Sequence, residues 1–331
     1  MRTLITGGAG FIGSHLAEHL LSRGDSVTIL DDLSTGSIEN VAQLKADRRF
    51  SYVVDSVTKD SIVAELVDSA DAVFHLAAAV GVFKIVQNPV ETIQLNIQGT
   101  ERVLTHAAKK RRPVLIASTS EVYGKGSKVP FSEEDDIVLG PSSKSRWCYA
   151  CSKLVDEHLA LAYWSQRRVP TVVARLFNTV GPRQSGQYGM VVPRFVRQAL
   201  SGGPLTVYGD GRQSRCFAHV KDVVTALAAL LAAPACYGRV FNVGNDQEIS
   251  IQELAEKVRS KTDPAVRIQQ IPYEKAYAPG FEDLRRRVPS LTRIREAISF
   301  APSRTIDHIL DDVIAYERAH HRAVTGSLPT V

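Results

Sequence analysis

Met1-Arg2-Thr3-Leu4-Ile5-Thr6-Gly7-Gly8-Ala9-Gly10-Phe11-Ile12-Gly13, continued as far as Asp31-Asp32, is the stretch that decides the fold. A short apolar β-run at Leu4 and Ile5 passes straight into glycines at Gly7, Gly8, Gly10 and Gly13. An amphipathic helix comes next, His15-Leu16-Ala17-Glu18-His19-Leu20-Leu21-Ser22-Arg23, and ends at Gly24. The order is strand, glycine turn, helix. The first glycines permit a tight turn with unusual backbone angles, Gly10 lets the main chain approach a pyrophosphate, and Gly13 lets the helix pack close to the strand. The N–H groups at the helix start, at Phe11, Ile12 and Gly13, then face the anion.

A second strand, Ser26-Val27-Thr28-Ile29-Leu30, ends at Asp31, about where an acidic side chain reaches a ribose hydroxyl pair. A carboxylate there favours NAD over NADP, because it repels the extra phosphate. Asp31 is preferred to Asp32, which already opens the loop Leu33-Ser34-Thr35-Gly36. A lone glycine-rich turn is weak evidence, but strand, glycines, helix, strand and acid agree here. Two further runs continue the pattern, Phe50 to Val57 with Asp55 and Ser56 at its end, and Ala72-Val73-Phe74-His75 running into Leu76, Ala77 and Ala78. Strands alternating with helical stretches predict a parallel sheet covered on both faces. The ligand then lies at the carboxyl ends of the strands, so Asp55, Ser56, Leu76, Ala77 and Ala78 join the expected cofactor wall. His75, alone in an apolar run, is read as packed or backbone-bonded.

At 331 residues, 44% hydrophobic and 23% charged, the chain has the material for one large domain or two joined ones. The formal charge is +5, but the basic residues are spread, apart from Lys109-Lys110-Arg111-Arg112 and Arg285-Arg286-Arg287. Such short runs argue against a nucleic-acid groove. No apolar run approaches membrane-spanning length. The chain starts in a strand rather than in a basic-then-apolar leader, so a cytoplasmic protein is expected. Cys148 and Cys151 form a Cys-x-x-Cys without a second Cys or His pair at ligand spacing, so no metal site is expected.

Two later segments carry the chemistry. The strand Pro113-Val114-Leu115-Ile116-Ala117 has a polar end, Ser118-Thr119-Ser120-Glu121, followed by Val122-Tyr123-Gly124. In Trp147-Cys148-Tyr149-Ala150-Cys151-Ser152-Lys153, Tyr149 and Lys153 are four apart in a helical context, so they leave one face a turn apart. An ammonium beside a phenol favours the phenolate, and a positive nicotinamide ring adds to that effect. The expected result is a general base working near neutral pH.

These motifs, Gly7-x-x-Gly10-x-x-Gly13, Ser118 to Gly124 and Tyr149-x-x-x-Lys153, resemble those of the extended short-chain dehydrogenase/reductases that act on nucleotide sugars. The likeness extends through Arg175-Leu176-Phe177-Asn178, Val207 to Arg215 and Phe241-Asn242-Val243-Gly244. It implies an α/β fold, a Rossmann-type doubly wound parallel sheet over residues 1–175, with a smaller C-terminal α/β substrate domain made mainly of 176–318. Some later segments cross back, and 319–331 is left as a patternless, disordered tail. By the same resemblance Asn178 and Arg215 hold the sugar diphosphate, Val191 in the stretch 187–193 lies along the base and ribose, and Lys84 lies where substrate and nicotinamide meet. A homodimer is implied, joined through two helices from each subunit, with Leu154, Leu159 and Leu161 as candidate contacts.

In such enzymes Tyr149 is expected to take the proton of the sugar 4-hydroxyl while hydride passes from C4 to NAD, with Thr119 or Ser120 bonded to that oxygen and Lys153 also touching the cofactor. The fate of the 4-keto sugar separates the family's reactions. Thr119-Ser120-Glu121 resembles the pattern of UDP-glucuronate decarboxylases and GDP-mannose 4,6-dehydratases, whereas simple epimerases carry no acid there. Ser145-Arg146-Trp147-Cys148-Tyr149 and Gly280 to Ser290 are similar to segments of bacterial decarboxylases acting on UDP-glucuronate, which makes Arg287 the candidate partner of a uronate carboxylate. The favoured reading is a UDP-glucuronate decarboxylase that retains NAD, on a UDP-uronic acid substrate. A 4-epimerase, a 4,6-dehydratase and a catalytically silent dinucleotide sensor remain open.

Overall fold

β1 (Arg2–Thr6), α1 (Phe11–Ser22), β2 (Ser26–Asp31) and β3 (Phe50–Val54) open the chain, in the order the glycine turn predicts. The architecture comes from a computed structural model, which describes residues 1–80, 88–186, 190–272 and 286–325, the last five by backbone alone. The chain continues through α2 (Asp60–Ser69), β4 (Ala72–His75), α3 (Pro89–Lys110), β5 (Val114–Thr119), α4 (Trp147–Arg167) and β6 (Thr171–Leu176). Then come β7 (Thr179–Val180), α5 (Val191–Leu200), β8 (Leu205–Tyr208), β9 (Ser214–Cys216), β10 (Ala218–His219) and α6 (Val220–Ala232). The described chain closes with β11 (Arg239–Val243), β12 (Glu248–Ser250), α7 (Ile251–Thr262), β13 (Ile268–Ile271), β14 (Arg286–Arg287), α8 (Thr292–Ile298) and α9 (Ile306–Thr325).

Among the described residues, seven strands form one parallel sheet in the order β11-β6-β5-β4-β1-β2-β3. The winding reverses between β1 and β4, and such a switch point opens a crevice at the carboxyl edge. Each strand sends alternate side chains to opposite faces. Ile5, Ile29, Phe74 and Leu115 meet α1 and α6 on one face, while Leu4, Leu30, Val73 and Ile116 meet α2, α3 and α4 on the other. This is the doubly wound α/β sheet that the sequence predicts. β11 and α6 return from the later half of the chain to complete it.

A second core gathers α5, β8, α7 and α9 around Phe195, Val207, Leu254 and Ile314. Beside it lie the parallel pair β13-β8 and the short sheet β12-β9-β14. The segment from Ala319, expected to be patternless, is helical as far as Thr325, because α9 runs that far, and 326–331 lie outside the described residues. Ile309, Leu310, Val313 and Ile314 seat that helix on the second core, and Glu317 accepts from Arg197 Nε at 2.9 Å, so helical spacing outlasts the apolar stretch. Among the described residues no helix is long and apolar enough to cross a membrane.

Several polar groups buried behind the sheet are paired. Glu157 on α4 accepts from Arg175 Nη2 at 2.7 Å and from the Ser118 hydroxyl at 2.5 Å, tying α4 to β6 and β5. His75 is packed, though bonded to hydroxyls rather than to backbone: Nδ1 lies 2.7 Å from Thr6 Oγ1 and Nε2 3.1 Å from Thr100 Oγ1. Burial, aided by the Lys153 charge, drives His75 from 6.5 down to about 3. The unfolded chain therefore takes up a proton that the folded chain refuses. This contribution is complete above 6.5 and is lost as the pH falls toward 3. Between about pH 7 and about pH 5 it removes roughly 2 kcal/mol. Urea unfolding at both pH values checks this: His75→Gln should lose less stability on acidification than the parent, and equal losses would contradict the assignment.

Candidate active site

The glycine turn is built by close backbone contact. Gly7 has φ +72°, and its N–H donates to the Leu30 carbonyl at 2.8 Å. A Cβ on Gly13 would stand 2.2 Å from the Gly7 oxygen, and one on Gly7 2.7 Å from the Ala77 nitrogen. No side chain fits at either place. Gly10, extended at φ −74° and ψ 177°, starts α1 without a side-chain cap. The first helical N–H groups, which have no acceptors within the helix, are thus left for an anion.

Asp31 stands at the end of β2, at the floor of a cleft of about 530 Å³. Its Oδ2 accepts from the Ala9 N–H at 2.9 Å and its Oδ1 from Leu33 N–H at 2.8 Å. Burial raises its carboxyl above the usual range, against the pull of those backbone bonds. Two oxygens offer about four acceptor positions, so capacity remains for a ribose hydroxyl pair. Asp32 also lines the cleft, accepting from Ser34 N–H at 2.9 Å. Asp55 does so too, held below the usual carboxylate range by Lys59 at 2.8 Å. Gly7, Gly10, Phe11, Ile12, Gly13, Leu76, Ala77 and Ala78 complete this end of the wall. Ser56 is not among the lining residues; its hydroxyl is engaged with Thr58 at 2.8 Å. This donor set fits a dinucleotide with an unphosphorylated ribose.

The strand end predicted to be chemical reaches the same cleft, with Thr119, Ser120, Glu121 and Tyr149 on one wall. Ser120 to Tyr123 form a 3-10 turn rather than a strand, and Thr119 Oγ1 accepts from the Glu121 N–H at 3.2 Å. Tyr149 is hydrogen-bonded to Thr119. Its expected ease of ionisation is not found in the chain without cofactor. Burial pushes the phenol well above its ordinary value, and the charges of Glu121 and Asp156 push the same way. Lys153 does not offset them, because its charge is paired elsewhere: its ammonium, 2% exposed and outside the cleft lining, donates to Asp156 Oδ2 at 2.7 Å. The cause is local, since Asp156 lies three residues on, and a buried ammonium requires a partner.

The substrate end is closed by the later segments. Asn178, Val191, Arg215 and Arg287 all line the cleft. Arg287 and Arg215 sit directly opposite in the parallel pairing of β14 with β9, and among the described residues Arg287 Nε is buried without a hydrogen-bond partner. Two guanidinium groups side by side in a cleft call for anionic groups. Asn178 donates to the Cys216 carbonyl at 2.9 Å. Lys84, positions 187–189 and the approach to Arg287 at 273–285 lie outside the described residues.

Sequence reasoning missed several residues of this region. Asn96 clamps the loop after β4, accepting from Ala79 N–H at 2.8 Å and donating to Ser152 Oγ at 2.9 Å. Arg183 lines the cleft and bridges to α1 through Glu18 at 2.5 Å and Ser14 Oγ at 3.1 Å. Arg194, stacked 4.1 Å from the Tyr208 ring centroid, completes the far wall. The signal for Arg183 was its place in Gly181-Pro182-Arg183; nothing in the sequence marked Arg194.

The model of the NAD dependent epimerase/dehydratase family matches residues 3–244. The chain belongs to that family. Among curated relatives it is 42% identical to a UDP-N-acetyl-α-D-glucosaminuronate decarboxylase of Bacillus cytotoxicus, over 96% of this chain and 98% of the relative. UDP-glucuronic acid decarboxylase 1 of Arabidopsis thaliana is 36% identical over 91% of this chain and 66% of its own length. A solved UDP-glucuronic acid 4-epimerase from Bacillus cereus, in complex with UDP-glucuronic acid and NAD, superposes with a TM-score of 0.86 at 26% identity, covering 97% of this chain and 100% of that one. Family membership makes NAD the cofactor, and Gly7 to Asp55 are the residues of the cleft that would hold it. Gly13→Ala should weaken NAD binding more than about tenfold, because the new methyl displaces α1 from the turn. Calorimetric titration with NAD checks this, and unchanged affinity would contradict the placement.

Proposed function

We propose that this chain decarboxylates a UDP-linked hexuronate by way of a 4-keto sugar. The observation that carries the reading is the cleft's composition: Thr119, Glu121 and Tyr149 on one wall, with Arg287, whose Nε has no hydrogen-bond partner among the described residues, lining the same space. The decarboxylases among its relatives support it. NAD, when bound, supplies a hydride acceptor for C4 and returns the hydride later in the cycle. Tyr149 takes the 4-hydroxyl proton, with the Thr119 hydroxyl aligned on the same oxygen. Once C4 is a ketone, the C6 carboxylate is β to it, and the C5–C6 electron pair flows toward the carbonyl as CO₂ leaves. Arg287 holds the carboxylate before departure, and Glu121 manages the proton that C5 then receives. Arg215 and Asn178 hold the diphosphate.

Residues 1–175 serve in this reading as the dinucleotide unit, and 176–318 mainly as the substrate unit. The protein is taken to work in the cytoplasm as a homodimer. Val90 and Ile93, exposed on α3 beside α4, supply apolar surface for a contact of two helices from each subunit. Leu159 and Leu161 pack instead against their own core, and Leu154 against the small cluster around Tyr123.

The test gives the purified chain, with NAD, either UDP-glucuronate or its 2-acetamido counterpart and reads product masses. Loss of CO₂ without net consumption of NAD is expected. A hexuronate isomer of unchanged mass would make the chain a 4-epimerase, as in the Bacillus cereus neighbour, and would withdraw the role of Arg287. Tyr149→Phe should lower turnover by about 10² to 10⁴ while NAD still binds. Arg287→Met should lower it by about 10².

A further inference from the structure

Asp156 has no part in the scheme above, yet it is the residue to which Lys153 is bonded. Lys153 Nζ and Asp156 Oδ2 are 2.7 Å apart, and the two side chains are 2% and 0% exposed. Lys153 stands one helical turn from Tyr149 on α4 and three residues from Asp156, so its stem has two places to deliver its charge. Other ionisable and polar groups crowd the same spot from every side. Glu121 and Thr119 face Tyr149 from the end of β5, and Arg146 and Arg287 share its cleft. His75 from β4 faces Lys153, and Thr100 from α3 faces Asp156. Glu157, next along α4, is occupied by Arg175 and Ser118. His75 is held neutral by burial. Asp156 is therefore the carboxylate whose charge reaches both Lys153 and Tyr149.

We propose that Asp156 is a positioning residue for proton transfer: it holds the Lys153 ammonium behind Tyr149 and keeps the Tyr149 hydroxyl protonated until the lysine is released toward the cleft. The arrangement follows from two physical demands. A lone ammonium at this depth is costly, so the chain without dinucleotide requires a counter-charge for Lys153. A phenol facing the pair feels little net positive charge while the counter-charge stays in contact. Replacing Asp156 with a neutral group leaves the lysine charge uncompensated beside Tyr149, which favours the phenolate.

The inference rests on Tyr149 as the proton-transfer group, but its test needs no sugar, so it fails or stands separately from the decarboxylase reading. Tyrosinate absorbance is titrated for the parent, Asp156→Asn, Asp156→Ser and Asp156→Glu, each minus its own Tyr149→Phe counterpart, with thermal melts as a fold control. At about pH 10 the Tyr149 signal should be at least about threefold larger in the neutral variants than in the parent, and near parental in Asp156→Glu. An unchanged signal in a folded neutral variant would overturn the proposal, leaving Asp156 as a simple counter-ion. The parent chain supplies a second reading should both neutral variants fail to fold. A protected ¹⁵N ammonium resonance that disappears in Lys153→Arg should be present without NAD and move when NAD is added. A resonance that is absent, or that does not move, would overturn the proposal equally.

Discussion

The close approach of backbone to backbone at Gly7, Gly13 and Ala77 is the constraint on which the rest of the site depends. With 2.2 Å between the Gly7 oxygen and any Cβ at Gly13, α1 can start where it does only if that position carries no side chain. The helix start then lies over the end of β1, beside the reversal of strand order at β4, and the crevice of the sheet becomes an anion site. Asp31 reinforces the same geometry from β2. Its carboxylate gathers the Ala9 and Leu33 N–H groups, so the acid at the end of the strand also shapes the loop around it.

Behind that crevice the sheet carries a layer of buried charge arranged in pairs. Arg175 and Glu157 secure α4 against β6, with Ser118 adding β5. Burial opposes the Arg175 charge, yet Glu157 holds the guanidinium raised above its ordinary value. α4 is thereby set at a fixed depth, and that depth places Tyr149 beside Thr119 and Glu121. Packing of the helix and chemistry of the strand end are thus one problem. Across the cleft, Arg215 and Arg287 come from strands paired in register, so the placing of both guanidinium groups relies on the short sheet β12-β9-β14.

Those features that depend on local order were legible in the sequence. The glycine turn, the alternation of strands with helices and the acid at Asp31 each follow from neighbours within about thirty residues, where spacing and geometry are directly linked. Tyr149 and Thr119 were readable for the same reason. The partner of Lys153 was not, because a carboxylate at i+3 on a helix usually faces solvent, whereas this pair is buried, with His75 of β4 and Thr100 of α3 beside it. The facing of Arg287 on Arg215 depends on pairing between segments far apart in the chain, which no local pattern encodes. The second core was anticipated only as a smaller substrate domain implied by the resemblance, with none of its helices read. What joins them is the meeting of α5, α7 and α9 on one strand pair.

The central claim is that a C4 ketone drives loss of the C6 carboxylate in this cleft. The most direct measurement is turnover in D₂O of UDP-glucuronate and of its 2-acetamido counterpart, with the product examined by mass and by proton NMR. The account predicts a UDP-pentose that carries a single deuterium at C5, because CO₂ leaves an enolate that must be protonated from exchangeable hydrogen. A six-carbon product with no deuterium at C5 would show that only C4 is inverted, and would contradict it.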